Sequence, residues 1–248
     1  MGVDRPDEDE PRLDSVDTHE ARVLDEAGAP GERADQSDRL EAHVDLRAKA
    51  DDAYRSHAIE EGCDRVRVLE ETVVTPAMRR IEAADPNRSL VGLEFRLKGR
   101  ERLAEKVAEA VEERGRSIVE AFGLVKDAIR YTFCYSEDGY AQGVLADCRR
   151  LEAEGFVRFD RKNSWDGDEY KGINSHWRAP GGGQIFEVQF HTRSSFEAKQ
   201  ETHWAYERLR ALPEDEAEVR DLRAFQREVS AKIPIPLGAA DIPEYRYP

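Results

Sequence analysis

The chain is poor in the residues that staple or anchor a protein. Its three cysteines in 248 residues, Cys63, Cys134 and Cys148, are odd in number, far apart and without a C-x-x-C pair. That argues against a disulfide framework and against the common zinc and thiol-redox patterns, and predicts free buried thiols. Apolar residues make up only 39% against 37% charged, low for a packed protein of this length, so part of the chain is expected to lie outside the core. No apolar run approaches the roughly 18 residues of a spanning helix, and no membrane partner is expected. The N-terminus lacks the basic-then-apolar order of a signal peptide, which makes the expected location cytoplasmic. Cations are also short: the net charge of -15 argues against bulk attraction to nucleic acid or an anionic membrane, although local basic clusters could serve either.

The acidity is uneven. Residues 1–50 carry 15 acidic and 7 basic side chains, with almost no aliphatic periodicity before about Leu40, so residues 1–38 read as a disordered acidic tail. Residues 39–84 read as a helical N-terminal extension of two helices, the second running through Val66, Leu69, Val73 and Val74, with Pro76 opening a short helix at Ala77–Ala83. Residues 85–213 form the main domain. Residues 214–248 hold the end of a helix and a tail with four prolines in its last 16 residues, which predicts an extended segment, wrapped on the domain or free.

Within the main domain, alternation predicts a strand from Val91 to Lys98, followed by a helix from about Glu101 to Glu113. Lys126–Tyr135 reads as a central strand, Ala141–Glu154 as a helix, Gly155–Phe159 as a short strand and Asp160–Tyr170 as a polar loop. Gly172–Arg178 and Gln184–Thr192 flank Pro180-Gly-Gly-Gly183 as a hairpin, and Ser194 or Ser195 caps a last long helix to about Leu212. The sum is an α+β protein: a mixed sheet of four to five strands with packed helices, preceded by N-terminal helices and the acidic tail.

The most informative stretch is Gln184–Thr192, where Phe186, Val188 and Phe190 share one strand face and Glu187, Gln189 and His191 share the other. A carboxylate, an amide and an imidazole in line are costly if buried without partners, so the row is either solvated or holds something. Arg96, Lys98 and Lys106 gather three cations near one strand-to-helix junction, as a triphosphate requires, although such residues in isolation usually form a solvated face. Asp127 and Arg130 lie in the strand read as central, where unpaired charge is costly; Asp127 and Glu187 together could share a hard divalent ion such as Mg2+. The spacing Asp127-x2-Arg130 puts the two on opposite faces of a regular strand, so Asp127 is expected at a strand start or bulge if both serve one site. Lys199 and His203 are four apart on the last helix and share a face.

The order Arg96-x-Lys98-x7-Lys106, Asp127-Ala-Ile-Arg130, Tyr170-Lys-Gly-Ile-Asn174, Glu187-Val-Gln-Phe-His-Thr192 and Lys199-x3-His203-Trp204 resembles the nucleotidyltransferase-like synthetase domain of the RelA/SpoT superfamily over about residues 90–210. The form of the motifs is most similar to actinobacterial ATP nucleotide 3'-pyrophosphokinases and toxic small alarmone synthetases. The resemblance implies an enzyme of the stringent-response type, which transfers the β,γ-pyrophosphate of ATP to a ribose 3'-hydroxyl of a purine nucleotide and releases AMP. It implies that Arg96 stacks on adenine, that Lys98, Lys106 and Arg130 neutralise phosphates, and that Asp127 and Glu187 hold Mg2+, with Glu187 also taking the 3'-hydroxyl proton. Tyr170, Lys171, Asn174, Gln189, His191 and His203 would line the acceptor side.

Three positions depart from the alarmone synthetases. Arg102 stands at a usual serine, and His191 at a usual arginine, which predicts pH-dependent activity. Ile173 stands where a tyrosine stacks on guanine, with Tyr170 as the aromatic that would replace it. Two other functions remain open. One is a toxin acting on the 3'-terminal adenosine of tRNA, with an antitoxin protein as partner and Arg79, Arg80, Arg88, Arg100 and Arg102 as a basic track. The other is an inactive regulatory module of the same fold.

Overall fold

The computed structural model describes residues 30–246, with side chains from residue 42 onward. The chain divides into two units, Met1–Ala50 and Asp51–Pro248. The expected acidic tail lies outside the described residues as far as residue 29; from Pro30 the chain is already helical, as the start of α1 (Pro30–Leu69). The first unit's described helix carries the exposed pair Lys49–Asp45 at 2.7 Å, the i,i+4 spacing that helps a charged helix persist.

In the second unit, α1 buries the stripe Ile59, Cys63 and Val66 and then widens into a π-turn, Glu70–Val74, before α2 (Thr75–Ala83). The two helices expected between Leu40 and Val74 are one helix, α1, whose end passes through the π-turn into α2. Pro76 sits in the first turn of α2, and the helix runs into it from the π-turn without a break, since Val74 and Thr75 are both helical.

The sheet has the order β1-β2-β5-β4-β3-β6. The strands are β1 (Arg88–Val91), β2 (Arg130–Tyr135), β3 (Val157–Asn163), β4 (Ile173–Arg178), β5 (Ile185–Thr192) and β6 (Tyr245–Arg246). β2 and β5 run parallel, and the other neighbours are antiparallel. Helices α3 (Arg100–Arg114), α4 (Ile118–Leu124), α5 (Tyr140–Ala153), α6 (Arg193–Ala211) and α7 (Ala217–Ser230) complete the domain. The apolar sheet face carries Phe133, Val188, Phe190, Trp177 and Phe186, all fully buried with Tyr140 and Trp165, and Phe133 stacks on Phe190 at 6.3 Å. The three cysteines are free and buried.

Several expectations are corrected. Val91–Lys98 is not a strand: Gly92 takes the left-handed conformation at φ 62°, ends β1, and leads into a single 3-10 turn at Leu93–Phe95. Leu97 then keeps one isolated bridge to Ile129. Asp160–Asn163, read as loop, belongs to β3, because β4 and the chain's end supply pairing partners on both sides. The cap of α6 is Thr192, whose side chain and that of Ser195 bond each other's backbone N–H. Neither α4 nor α7 was expected, although Ser117-Ile-Val-Glu120 is a capping box legible in the sequence.

The proline-rich end wraps on the domain. Asn163 Nδ2 donates to the carbonyls of Ala239, Ala240 and Ile242 at 2.9, 3.2 and 2.9 Å, Arg161 Nε donates to Pro243 O at 2.8 Å, and β6 extends the sheet from β3. Asn163→Ala strands three carbonyls at once, and the expected loss is about 1–3 kcal/mol in urea unfolding. A loss below about 0.5 kcal/mol, the range of ordinary surface substitutions, would show that the wrap does not depend on this side chain.

Candidate active site

The second face of the sheet is polar and covered. The parallel register sets Arg130 opposite Glu187, Thr132 opposite Gln189 and Cys134 opposite His191, while β4 adds Asn174 beside Gln189 and His176 beside Glu187. α6 follows β5 directly and lies over this face, where Ser195 and Lys199 meet His191 and Gln189, and with the apolar core on the other side every residue of β5 is buried. Glu187, Gln189 and His191 are 5%, 4% and 0% exposed, so the row is not a solvated surface strand, and its polar groups are met by protein partners.

Asp127 is the meeting point of the cations. It lies in the turn before β2, which answers the spacing problem. Lys106 Nζ reaches its Oδ1 at 2.8 Å, Lys98 Nζ its Oδ2 at 3.1 Å, and Arg130 Nη2 comes within 3.6 Å. Burial alone would raise this carboxyl, but the Lys106 hydrogen bond and the charges of Lys98 and Lys106 outweigh it and hold it at about 2. Arg130 also donates through Nε to Glu187 Oε2 at 2.5 Å, so one guanidinium joins the two carboxylates. Arg96 is not in this network: its partners are Glu70 Oε1 at 2.9 Å and the Leu93 carbonyl at 3.0 Å.

The expected acceptor residues form a second chain of contacts. Gln189 donates to Glu187 Oε1 at 3.0 Å, and its Oε1 accepts from Lys199 Nζ on α6. Burial, followed by the charge of Arg130, lowers Lys199 to about 8. Tyr170 OH donates to Asn174 Oδ1 at 2.8 Å and lies 2.8 Å from His191 Nε2; His191 Nδ1 lies 2.8 Å from Ser195 Oγ. These directions agree if His191 carries its proton on Nε2 and accepts from Ser195. Gly172 permits the arrangement, since a Cβ there would stand 2.7 Å from His191 Cε1. Lys171 instead holds the Trp165 carbonyl at 2.8 Å, and His203 is exposed on α6, stacked on Tyr206 at 6.5 Å.

Sequence reading passed over His176 and Asp160. His176 Nδ1 bonds Asp160 Oδ1, and Lys126 Nζ bonds Asp160 Oδ2 at 2.6 Å, which continues the polar row beyond Glu187. Period two along β4 would have found His176, since it follows Asn174 on the same face. The basic track does not form. Arg79, Arg80 and Arg100 are paired with Glu82, Glu154 and Asp64, and Arg88 is buried against Asp147; Arg102 is exposed.

Among the described residues no group of three His, Cys, Asp or Glu side chains could cage a metal. Asp127 and Glu187 are nonetheless hard oxygen donors, the kind that holds Mg2+ beside phosphate oxygens, and so fit that ion by donor chemistry. Arg130 spans the same two carboxylates, so an ion and the guanidinium would compete for their oxygens.

No protein-family profile matches the chain, and no curated protein does. Similar solved structures are small alarmone synthetases and a GTP pyrophosphokinase family protein. Small alarmone synthetase 2 from Bacillus subtilis is 12% identical, with a TM-score of 0.48 over 68% of this chain and 89% of that one. Small alarmone synthetase 1 from the same organism, bound to AMPCPP, is 14% identical, with a TM-score of 0.41 over 71% and 90%. The GTP pyrophosphokinase family protein from Streptococcus pneumoniae is 10% identical, with a TM-score of 0.41 over 71% and 85%.

Burial, reinforced by the nearby Lys199 charge, drives the His191 pKa well below its ordinary value of 6.5, so the ring stays neutral near pH 7. The expected pH-dependent charge at this position is therefore absent. The unfolded chain takes up a proton below about 6.5 and the folded chain does not, so the stability from this group is full above that pH and declines as pH falls. Urea unfolding should show about 2 kcal/mol of this loss between pH 6.5 and 5, relative to a His191→Gln variant. Identical pH slopes in the two proteins would contradict a neutral buried imidazole.

Proposed function

We propose that the chain is an ATP-dependent pyrophosphokinase that transfers the β,γ-pyrophosphate of ATP to the ribose 3'-hydroxyl of a purine nucleotide, with AMP leaving. The observation that carries this reading is local charge. In a protein of net charge -15, Lys98, Lys106, Arg130 and Lys199 converge on a network with two carboxylates, Asp127 and Glu187. An excess of fixed cations assembled around weaker anions is suited to a polyphosphate. The order of the motifs along the chain supports the same chemistry.

In this reading the triphosphate draws Lys98, Lys106 and Arg130 away from Asp127 and Glu187. Asp127 and Glu187 would hold Mg2+, which would supply further neutralisation of the transferred group. Glu187 takes the proton of the 3'-hydroxyl as its oxygen bonds to the β-phosphorus and the bond from that phosphorus to the α,β-bridging oxygen breaks. Gln189, held by Lys199, fixes the Glu187 carboxylate, and no covalent intermediate is required. Tyr170, Asn174 and His191 are bonded to one another and would form a neutral wall for the acceptor.

ATP labelled at the γ-phosphate, incubated with Mg2+, GTP, unlabelled ATP and deacylated tRNA together, tests the acceptor. Label is expected on a purine nucleotide; label on tRNA alone contradicts the reading and favours a toxin. Glu187→Gln keeps the shape of the side chain and removes the base, and transfer should fall by about 100-fold or more. A variant that transfers at the parent rate would remove Glu187 from the chemistry.

A further inference from the structure

The π-turn after α1 buries a carboxylate that the polar sheet face does not use. Glu70 is 1% exposed, and its Oε1 accepts from Thr75 Oγ1, from Tyr131 OH at 2.7 Å and from Arg96 Nε at 2.9 Å. The turn itself makes this possible. The Thr75 N–H closes on the Glu70 carbonyl five residues back, so both side chains reach Tyr131 together. Burial opposes the charge, but hydrogen bonds from Thr75, Tyr131 and Arg96 outweigh it and keep the carboxyl below its ordinary range.

A buried ion pair is a poor route to stability, since apolar residues packed in its place commonly do as well or better. What Glu70 does supply is a fixed direction for Arg96. That guanidinium is partly open to solvent, with Nε on Glu70 and Nη1 on the Leu93 carbonyl. Its backbone is fixed too, because Arg130 N donates to Arg96 O at 2.8 Å and Lys98 N donates to Ala128 O at 3.0 Å. Arg96 therefore stands two residues before Lys98 in the chain, with its backbone bonded to that of Arg130 and its head group held by Glu70 and the Leu93 carbonyl. π-turns inside helical segments recur at functional sites for reasons of this kind.

We propose that Glu70 is a positioning residue of the nucleotide site, holding the Arg96 guanidinium as the flat surface on which the purine of ATP stacks. The inference rests on the donor reading above and deepens it: the N-terminal helical extension becomes a working part of the site. A planar guanidinium held at one edge keeps its face available to a base, as stacking requires.

The test measures KM for ATP, affinity for α,β-methylene-ATP with Mg2+, and thermal unfolding in Glu70→Leu, Glu70→Gln, Arg96→Ala and the Glu70→Leu/Arg96→Ala double variant. Either Glu70 substitution should weaken ATP by about tenfold in KM and in analogue affinity, with kcat changed much less. The double variant should be no weaker than Arg96→Ala alone, and thermal unfolding should show each Glu70 variant folded at the assay temperature, with Glu70→Leu less stable because Tyr131 and Thr75 lose their acceptor. Analogue affinity within about twofold of the parent in folded Glu70 variants, while Arg96→Ala weakens it, would overturn the inference and leave the donor reading standing. Arg96→Ala without effect on analogue affinity would overturn the inference by removing Arg96 from the nucleotide site, with the cations Lys98, Lys106 and Arg130 unaffected.

Discussion

The guanidinium of Arg130 touches both carboxylates of the polar face, Glu187 through Nε and Asp127 through Nη2, and the rest of the arrangement depends on those two contacts. Parallel pairing of β2 with β5 sets Arg130 opposite Glu187, and the turn before β2 carries Asp127 back to the same side. Lys98 and Lys106 then close on Asp127, while Gln189 and Lys199 close on Glu187. Without a shared cation, the buried Glu187 and the partly buried Asp127 would face each other's charge in a poorly solvated space.

The same burial explains why the face is bonded from end to end. Each polar group under α6 has exchanged water for a protein partner, from Ser195 through His191 and Tyr170 to Asn174 in one line and from Lys199 through Gln189 to Glu187 in the other. A network satisfied in this way fixes side-chain directions, which a phosphoryl transfer that works by positioning and charge neutralisation requires. It also defines what a ligand must do: replace internal anions as the partner of cations that are already in place.

Much of this was legible where local rules decide. Period two in β5 separated Phe186, Val188 and Phe190 from Glu187, Gln189 and His191, and the structure keeps that division. Pro76, the hairpin around residues 180–183 and the free cysteines likewise follow from short-range chemistry. The misses came from long-range partners or from single residues that override a pattern. Gly92 broke the alternation that ran on to Lys98, and Asp160–Asn163 became strand because β4 and β6 flank it. Glu70 looked like one more charge on a charged helix, because only the fold brings Tyr131 and Arg96 to it.

The exchange of partners at Arg130 can be observed directly by NMR of arginine side chains, using an Arg130→Lys variant to assign its Nε–H signal. In the free protein that signal should be displaced by its bond to Glu187. Addition of Mg2+ with α,β-methylene-ATP should move it strongly, as the guanidinium leaves the carboxylate for phosphate. If the analogue binds and the Arg130 Nε–H signal stays where it was, Arg130 has kept Glu187, and the polar face is not the site of pyrophosphate transfer.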